Sequence, residues 1–170
     1  ETVYEGEFND GKPEGAGHFT SAEGNYYGGF FKGRMYGKGT YECHATQATY
    51  FGEHVEDQRQ GRGKIAFQDG SSYEGTFVDN LPHGQGCYIW PDGTKYVGDI
   101  KDGQLNGWGE LSDKDGPRYI GQWIDGVKHG WGWDKDKILK GEYQGAFVKG
   151  KRHGKGWFGI FFKKQIQQLF

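Results

Sequence analysis

The chain has 170 residues, of which 34% are hydrophobic, while aromatics alone reach 17% and glycine occurs 33 times. Aliphatic residues are too scarce for a thick two-layer core, and the composition lacks the Pro or Ser bias of a disordered chain. The net charge of −2 is not the basic footprint of a general nucleic-acid binder, and no run of about 18 apolar residues is present to cross a membrane.

Along the chain one hairpin pattern follows another. The first runs through Tyr4, Gly6 and Phe8, turns near Gly11 and returns through Gly15, Gly17 and Phe19. The unit restarts at Tyr26, Tyr50, Tyr73, Tyr96, Tyr119 and Tyr143. Such self-similarity at a fixed short period is the signature of a repeat architecture. With each tyrosine as position 0, glycine fills positions 2, 11 and 13 in every unit, as at Gly98, Gly107 and Gly109. Position 4 carries Phe8, Phe30, His54, Phe77, Ile100, Trp123 and Phe147. Position 7 carries Gly11, Gly33, Asp57, Asn80, Gly103, Gly126 and Gly150. Asp and Asn are the non-glycine residues that best tolerate a left-handed backbone, so position 7 reads as a turn residue with positive φ.

Period-two alternation puts positions 0, 2 and 4 on one face of a first strand, and positions 11, 13 and 15 on one face of a second. A turn between positions 5 and 10 then pairs 0 with 15, 2 with 13 and 4 with 11, so that each large ring meets a glycine. Second turns at Glu23-Gly24, Asp69-Gly70, Asp92-Gly93 and Asp115-Gly116 lead into following units. The fold expected is all-β, an elongated single-layer twisted antiparallel sheet of about 14 strands extending about 65 Å. The repeats occupy residues 1–158. In residues 159–170 the helical spacing of Phe162, Ile166, Leu169 and Phe170 predicts a short C-terminal capping helix.

The sequence Tyr-x-Gly-x-Phe-x-x-Gly-x-x-x-Gly-x-Gly resembles the MORN (membrane occupation and recognition nexus) repeat from Tyr4 to about Phe158, with Tyr73-Glu74-Gly75-Thr76-Phe77 and His153-Gly154-Lys155-Gly156 close to consensus. The third unit departs most, with His54 and Asp57 in framework columns. The sixth places Asp134 at position 15, which predicts a short or distorted strand there. The resemblance implies a curved single-layer sheet that binds other molecules. Members serve as scaffolds of the cytoskeleton, the cilium or flagellum and membrane junctions, or as regulatory parts of lipid kinases, lysine methyltransferases or exchange factors. It implies a cytoplasmic location, cytoskeleton- or cilium-associated or at the inner face of a membrane. The start at Glu1, without Met, reads as a cut from a longer protein.

No residue pattern points to catalysis, and neither a cofactor nor a metal is expected. His83, His129 and His153 share position 10, but equivalent positions in adjacent repeats lie about 9.6 Å apart, too far for one zinc ion. Cys43 and Cys87, two repeats apart, are expected as free thiols. Positions 1, 3, 12 and 14 point to the outer face. In the first half it reads as polar, with Glu53 and Arg62 as a cross-strand ion pair; in the last three repeats it carries Trp108, Ile120, Trp131, Trp133 and Trp157. These rings are either covered by the chain's own C-terminal helix or exposed as a patch that marks an interface, for another protein chain, peptide or helix, or for a second copy. The alternative groove lies on the opposite face, at Tyr96, Tyr119, Trp123 and Tyr143. From Tyr143 onward six basic residues (Lys149, Lys151, Arg152, Lys155, Lys163 and Lys164) occur without an acid, a candidate patch for anionic phospholipid or phosphoinositide.

Overall fold

Two-residue hairpin loops favour the type I′ turn, because its twist matches that of the flanking strands, and it demands positive φ at both central residues. The seven units meet that demand alike. Asp10-Gly11, Lys32-Gly33, Glu56-Asp57, Asp79-Asn80, Asp102-Gly103, Asp125-Gly126 and Lys149-Gly150 all have positive φ at both residues. Position 7 is therefore the turn residue read from the sequence, Asp57 and Asn80 included. Position 6 is equally left-handed without ever being glycine.

The computed structural model describes residues 2–136, 138 and 140–160. These turns join β1 (Val3–Asn9) to β2 (Lys12–Thr20), β3 (Gly24–Phe31) to β4 (Arg34–Cys43), β5 (Thr49–Val55) to β6 (Gln58–Ala66) and β7 (Ser72–Val78) to β8 (Leu81–Ile89). They also join β9 (Lys95–Lys101) to β10 (Gln104–Asp113), β11 (Gly116–Ile124) to β12 (Val127–Asp136) and β13 (Gly141–Val148) to β14 (Lys151–Ile160). The strands form one antiparallel sheet in chain order, β1 to β14. The expected C-terminal helix lies outside the described residues, and strand pairing continues to Ile160, two residues beyond Phe158.

Two of the three expected pairings hold in every hairpin. Position 0 faces 15, as Tyr73↔Tyr88, and position 2 faces 13, as Gly75↔Gly86. The third does not. Position 4 faces position 9 within the hairpin, as Phe77↔Pro82 and Phe147↔Arg152, because the second strand carries a bulge at positions 11 and 12. Position 11 instead faces position 4 of the next repeat, as Gly61↔Phe77 and Gly107↔Trp123. Its glycine is there for the bulge: all seven have φ between +58° and +81°, from Gly130 to Gly107. A Cβ on Gly107 would meet Asp99 Oδ2 at 2.6 Å, on the outer face.

Glycines at positions 2 and 13 have a different reason. They stand in register across the whole sheet, and the tyrosine ring of each repeat lies over its own pair. A Cβ at Gly132 would sit 2.5 Å from Tyr119 Oη, and one at Gly145 2.7 Å from Gly156 Cα. The tyrosine hydroxyl crosses both glycines to donate to the carbonyl at position 3: Tyr73 to Thr76 at 2.9 Å, Tyr96 to Asp99 at 2.8 Å, Tyr119 to Gln122 at 2.9 Å. Phenylalanine has no such donor, which is why position 0 is tyrosine. Position 4 rings stand edge-on between successive tyrosines, as Phe77 at 5.1 Å from both Tyr50 and Tyr73, and Trp123 at 5.6 and 5.0 Å from Tyr96 and Tyr119. Among the described residues this herringbone buries the rings without a second layer; Tyr26, Tyr73, Tyr96 and Tyr119 have 0% of their surface exposed.

Two further sequence expectations change. Gly24 is not a turn residue; it lies within β3, opposite Cys43, with Tyr41 over it. Gly70, Gly93 and Gly116 do have the positive φ of turn residues. The strand expected to be short at Asp134 is β12, which has ten residues and pairs regularly through Asp134↔Tyr143. The carboxylate is tolerated there because Lys128 and Arg152, both at position 9, bond to it.

Candidate functional site

The outer face is organised as two rows of side chains crossing the strands. One row alternates positions 1 and 14, the other positions 3 and 12. In the first, Ile120 faces Trp133, Trp133 faces Gln144, and Gln144 faces Trp157. In the second, Trp108 faces Gln122 and Trp131 faces Ala146. The pleat therefore brings Trp108, Ile120, Trp131, Trp133 and Trp157 onto one face over β10–β14, as their spacing predicted.

Trp108, Trp131 and Trp157 are 55%, 57% and 54% exposed, and Ile120 is also exposed. Two of these tryptophans have their main chain tied to a neighbouring strand: the backbone N–H of Trp108 donates to Asp99 Oδ2 at 2.7 Å, and that of Trp131 to Gln122 Oε1 at 2.8 Å. These bonds satisfy bulge N–H groups and fix the strand beneath each indole. Trp133 is half-buried, and its Nε1–H donates to Glu142 Oε2 at 3.1 Å. Trp133 therefore supports the ridge more than it projects from it.

The rings expected to line an alternative groove on the opposite face are the core itself. Tyr96, Tyr119, Trp123 and Tyr143 are all buried. A molecule approaching them in repeats six and seven meets cations instead. Lys128 Nζ stands 4.6 Å from the Tyr119 centroid, and the Arg152 guanidinium lies 5.0 Å from that of Tyr143.

The six basic residues do not form one patch among the described residues. Lys149 occupies the last turn, and Lys151 and Lys155 are exposed on β14. Arg152 turns to the ring face, where it bonds Asp134 at 2.9 Å and Asp136 at 3.0 Å. Burial opposes its charge, but these two carboxylates outweigh it and hold the guanidinium above its ordinary pKa. Lys163 and Lys164 lie outside the described residues. His83, His129 and His153 face position 3 of their hairpins (Thr76, Gln122 and Ala146). Cys43 and Cys87 are free thiols.

The first half of the outer face is not uniformly polar. Tyr27 and Phe51, both at position 1, are 45% and 59% exposed. The signal was in the sequence, because the same count that finds Ile120 finds both rings. Glu53 and Arg62 are not the expected ion pair. The bulge displaces Arg62, so the Glu53 carboxylate accepts its backbone N–H at 3.3 Å, while Lys38 is the residue facing Glu53 across the ladder. Between the two rows, from Lys38 to Val97, lies a cavity of about 650 Å³.

A family model described as "MORN repeat" matches residues 4–26, 50–72, 73–95, 96–118, 119–133 and 143–159. Residues 27–49 lie between two matched segments, although β3 and β4 pair there as in the other repeats. No match was found among curated proteins. Among solved structures, the chain is similar to the "SAS-4 (dCPAP) TCP domain in complex with a Proline Rich Motif of Ana2 (dSTIL)" of Drosophila melanogaster. That alignment has 12% identity and a TM-score of 0.37, covering 86% of this chain and 79% of the other, a likeness too slight to carry any argument.

Proposed function

This chain belongs to the MORN-repeat family, and from that premise we propose that it is a non-catalytic protein-interaction scaffold whose outer face, over repeats five to seven, receives a partner chain. The observation that carries this reading is the exposure of Trp108, Trp131 and Trp157, each more than half open to solvent on one face of a sheet that has no second layer among the described residues. Tryptophan is among the residue types most enriched at interface hot spots, and its rigid indole buries a large area while ordering only two side-chain torsions. The family resemblance puts such ribbons at cytoskeletal, ciliary or membrane-junction assemblies, or within larger enzymes as regulatory parts.

The test is a double substitution, W108S/W131S, that leaves the Trp133–Glu142 bond in place. Circular dichroism and the melting temperature should stay close to those of the parent chain. Proteins cross-linked to the parent chain in cells should be lost from the variant, or, if the partner is a second copy, self-association in sedimentation equilibrium should disappear. An unchanged set of cross-linked proteins and an unchanged mass would reduce the ridge to a structural feature. Sedimentation with anionic vesicles that survives W108S/W131S and is lost on neutralising Lys149, Lys151 and Lys155 would assign binding to a lipid surface instead.

A further inference from the structure

The cavity between the outer-face rows has a charge pattern of its own. One bank carries Phe51, Lys64, Glu74 and Val97, the other Lys38, Glu53 and Arg62. The floor is main chain, at the register Gly52↔Gly63↔Gly75↔Gly86. Both carboxylates are already engaged: Glu74 with Lys64 at 3.6 Å, and Glu53 with the Arg62 backbone N–H. The side chains of Lys38 and Arg62 are in no ion pair among the described residues. The groove carries three cations, Lys38, Arg62 and Lys64, against the two carboxylates of Glu53 and Glu74, a local excess of one positive charge, although residues 1–142 together carry a net charge of 15 − 23 = −8.

Two exposed apolar side chains lie along the groove, the first on β5, between Lys38 on β4 and Arg62 on β6. Phe51 on β5 is 59% exposed and Val97 on β9 is 46% exposed. Four strand spacings separate them, about 19 Å. An extended chain advances about 3.3 Å per residue, so six steps cover about 20 Å, and alternate side chains point the same way.

We propose that this groove is a peptide-binding site for an extended acidic segment of a partner protein, with apolar residues six apart bedded on Phe51 and Val97 and a carboxylate two residues to either side of the first meeting Lys38 and Arg62. Two charge-assisted contacts at exposed cations give specificity and steering more than affinity, and the two apolar contacts supply the desolvation that such contacts lack. The site uses no residue of the tryptophan ridge and shares with the proposed function only the premise that this chain binds proteins.

The probe is a fluorescein-labelled nonapeptide, Glu-Thr-Leu-Thr-Glu-Thr-Thr-Thr-Phe, followed by fluorescence anisotropy against the whole chain. Saturable binding is expected, weakening steeply as salt is raised from 50 to 500 mM. The exposed charge reversal K38E/R62E should weaken it at least tenfold. The same peptide with lysine for both glutamates should bind K38E/R62E and not the parent chain, an exchange that a misfolded variant does not produce. Absence of saturable binding, equal binding of the glutamate peptide to K38E/R62E, or equal binding of the lysine peptide to the parent chain would each overturn the proposal. A nonapeptide that passes these tests, together with an unchanged set of cross-linked proteins in W108S/W131S, keeps the groove and removes the ridge.

Discussion

His54 occupies the position that holds Phe in four of the other repeats, and its imidazole is 2% exposed. It stands edge-on to Tyr26 at 4.9 Å and to Tyr50 at 5.1 Å, taking the place of a phenyl ring in the herringbone, and its Nδ1 has no hydrogen-bond partner. Burial pushes its pKa from the ordinary 6.5 to about 4, with the Arg59 charge acting in the same direction. The sign follows from linkage. The unfolded chain takes up a proton near pH 6.5 and the folded chain only near 4, so the contribution is fully present above 6.5 and lost as pH falls through 4. A shift of that size is worth about 3 kcal/mol at its limit. His54→Phe should remove this part of the acid sensitivity. Urea midpoints measured from pH 7 to pH 4.5 should fall less in the variant than in the parent chain, and parallel curves would contradict the assignment.

At the scale of the element, each hairpin uses glycine for three separable reasons, and substitutions should tell them apart. Gly126 needs only a left-handed backbone in a type I′ turn, with φ +79° and nothing within 4 Å of an added Cβ. Asn80 fills the same position in repeat four with φ 69°. Gly126→Asn should therefore change the unfolding free energy by no more than about 0.5 kcal/mol. Gly107, at the bulge, combines φ +81° with a Cβ direction that runs into Asp99. Gly107→Ala should cost about 2 kcal/mol or more by denaturant unfolding, since a left-handed alanine alone costs about 1–2 kcal/mol. Equal losses in the two variants would mean that the bulge is not the reason for position 11. The bulge itself was not legible in the sequence. Three invariant glycines at positions 2, 11 and 13 look alike in a column count, and only the ladder shows that two lie under a ring while the third bends the strand.

The whole molecule is a row in which each strand pairs with its neighbours in sequence, so stability is assembled from local interfaces. Damage should then stay local. Gly132→Val places a branched side chain against Tyr119 Oη, 2.5 Å from the Cβ position, and should cost about 3 kcal/mol or more through overpacking. Hydrogen exchange should accelerate in β11–β13, which flank the displaced ring, while β3–β6 keep the protection of the parent chain. A uniform rise across all strands would show that the array opens as one cooperative unit.

The sequence by itself determined the number of strands, their order and the pairing of tyrosine with glycine, because a period of 22 to 24 residues, as from Tyr4 to Tyr26 and from Tyr26 to Tyr50, is written in the chain without reference to any distant contact. It also placed Trp108, Trp131 and Trp157 on one face, since alternation along a strand needs only counting. Tertiary structure alone decided which strand the bulge glycines face, that Glu53 caps a backbone N–H and does not pair with the Arg62 side chain, and that Arg152 leaves the basic patch for Asp134 and Asp136. These depend on register between repeats and on the bulge at each position 11 glycine. Both are properties of the assembled ladder, in which residues some 18 positions apart in sequence stand within hydrogen-bonding distance.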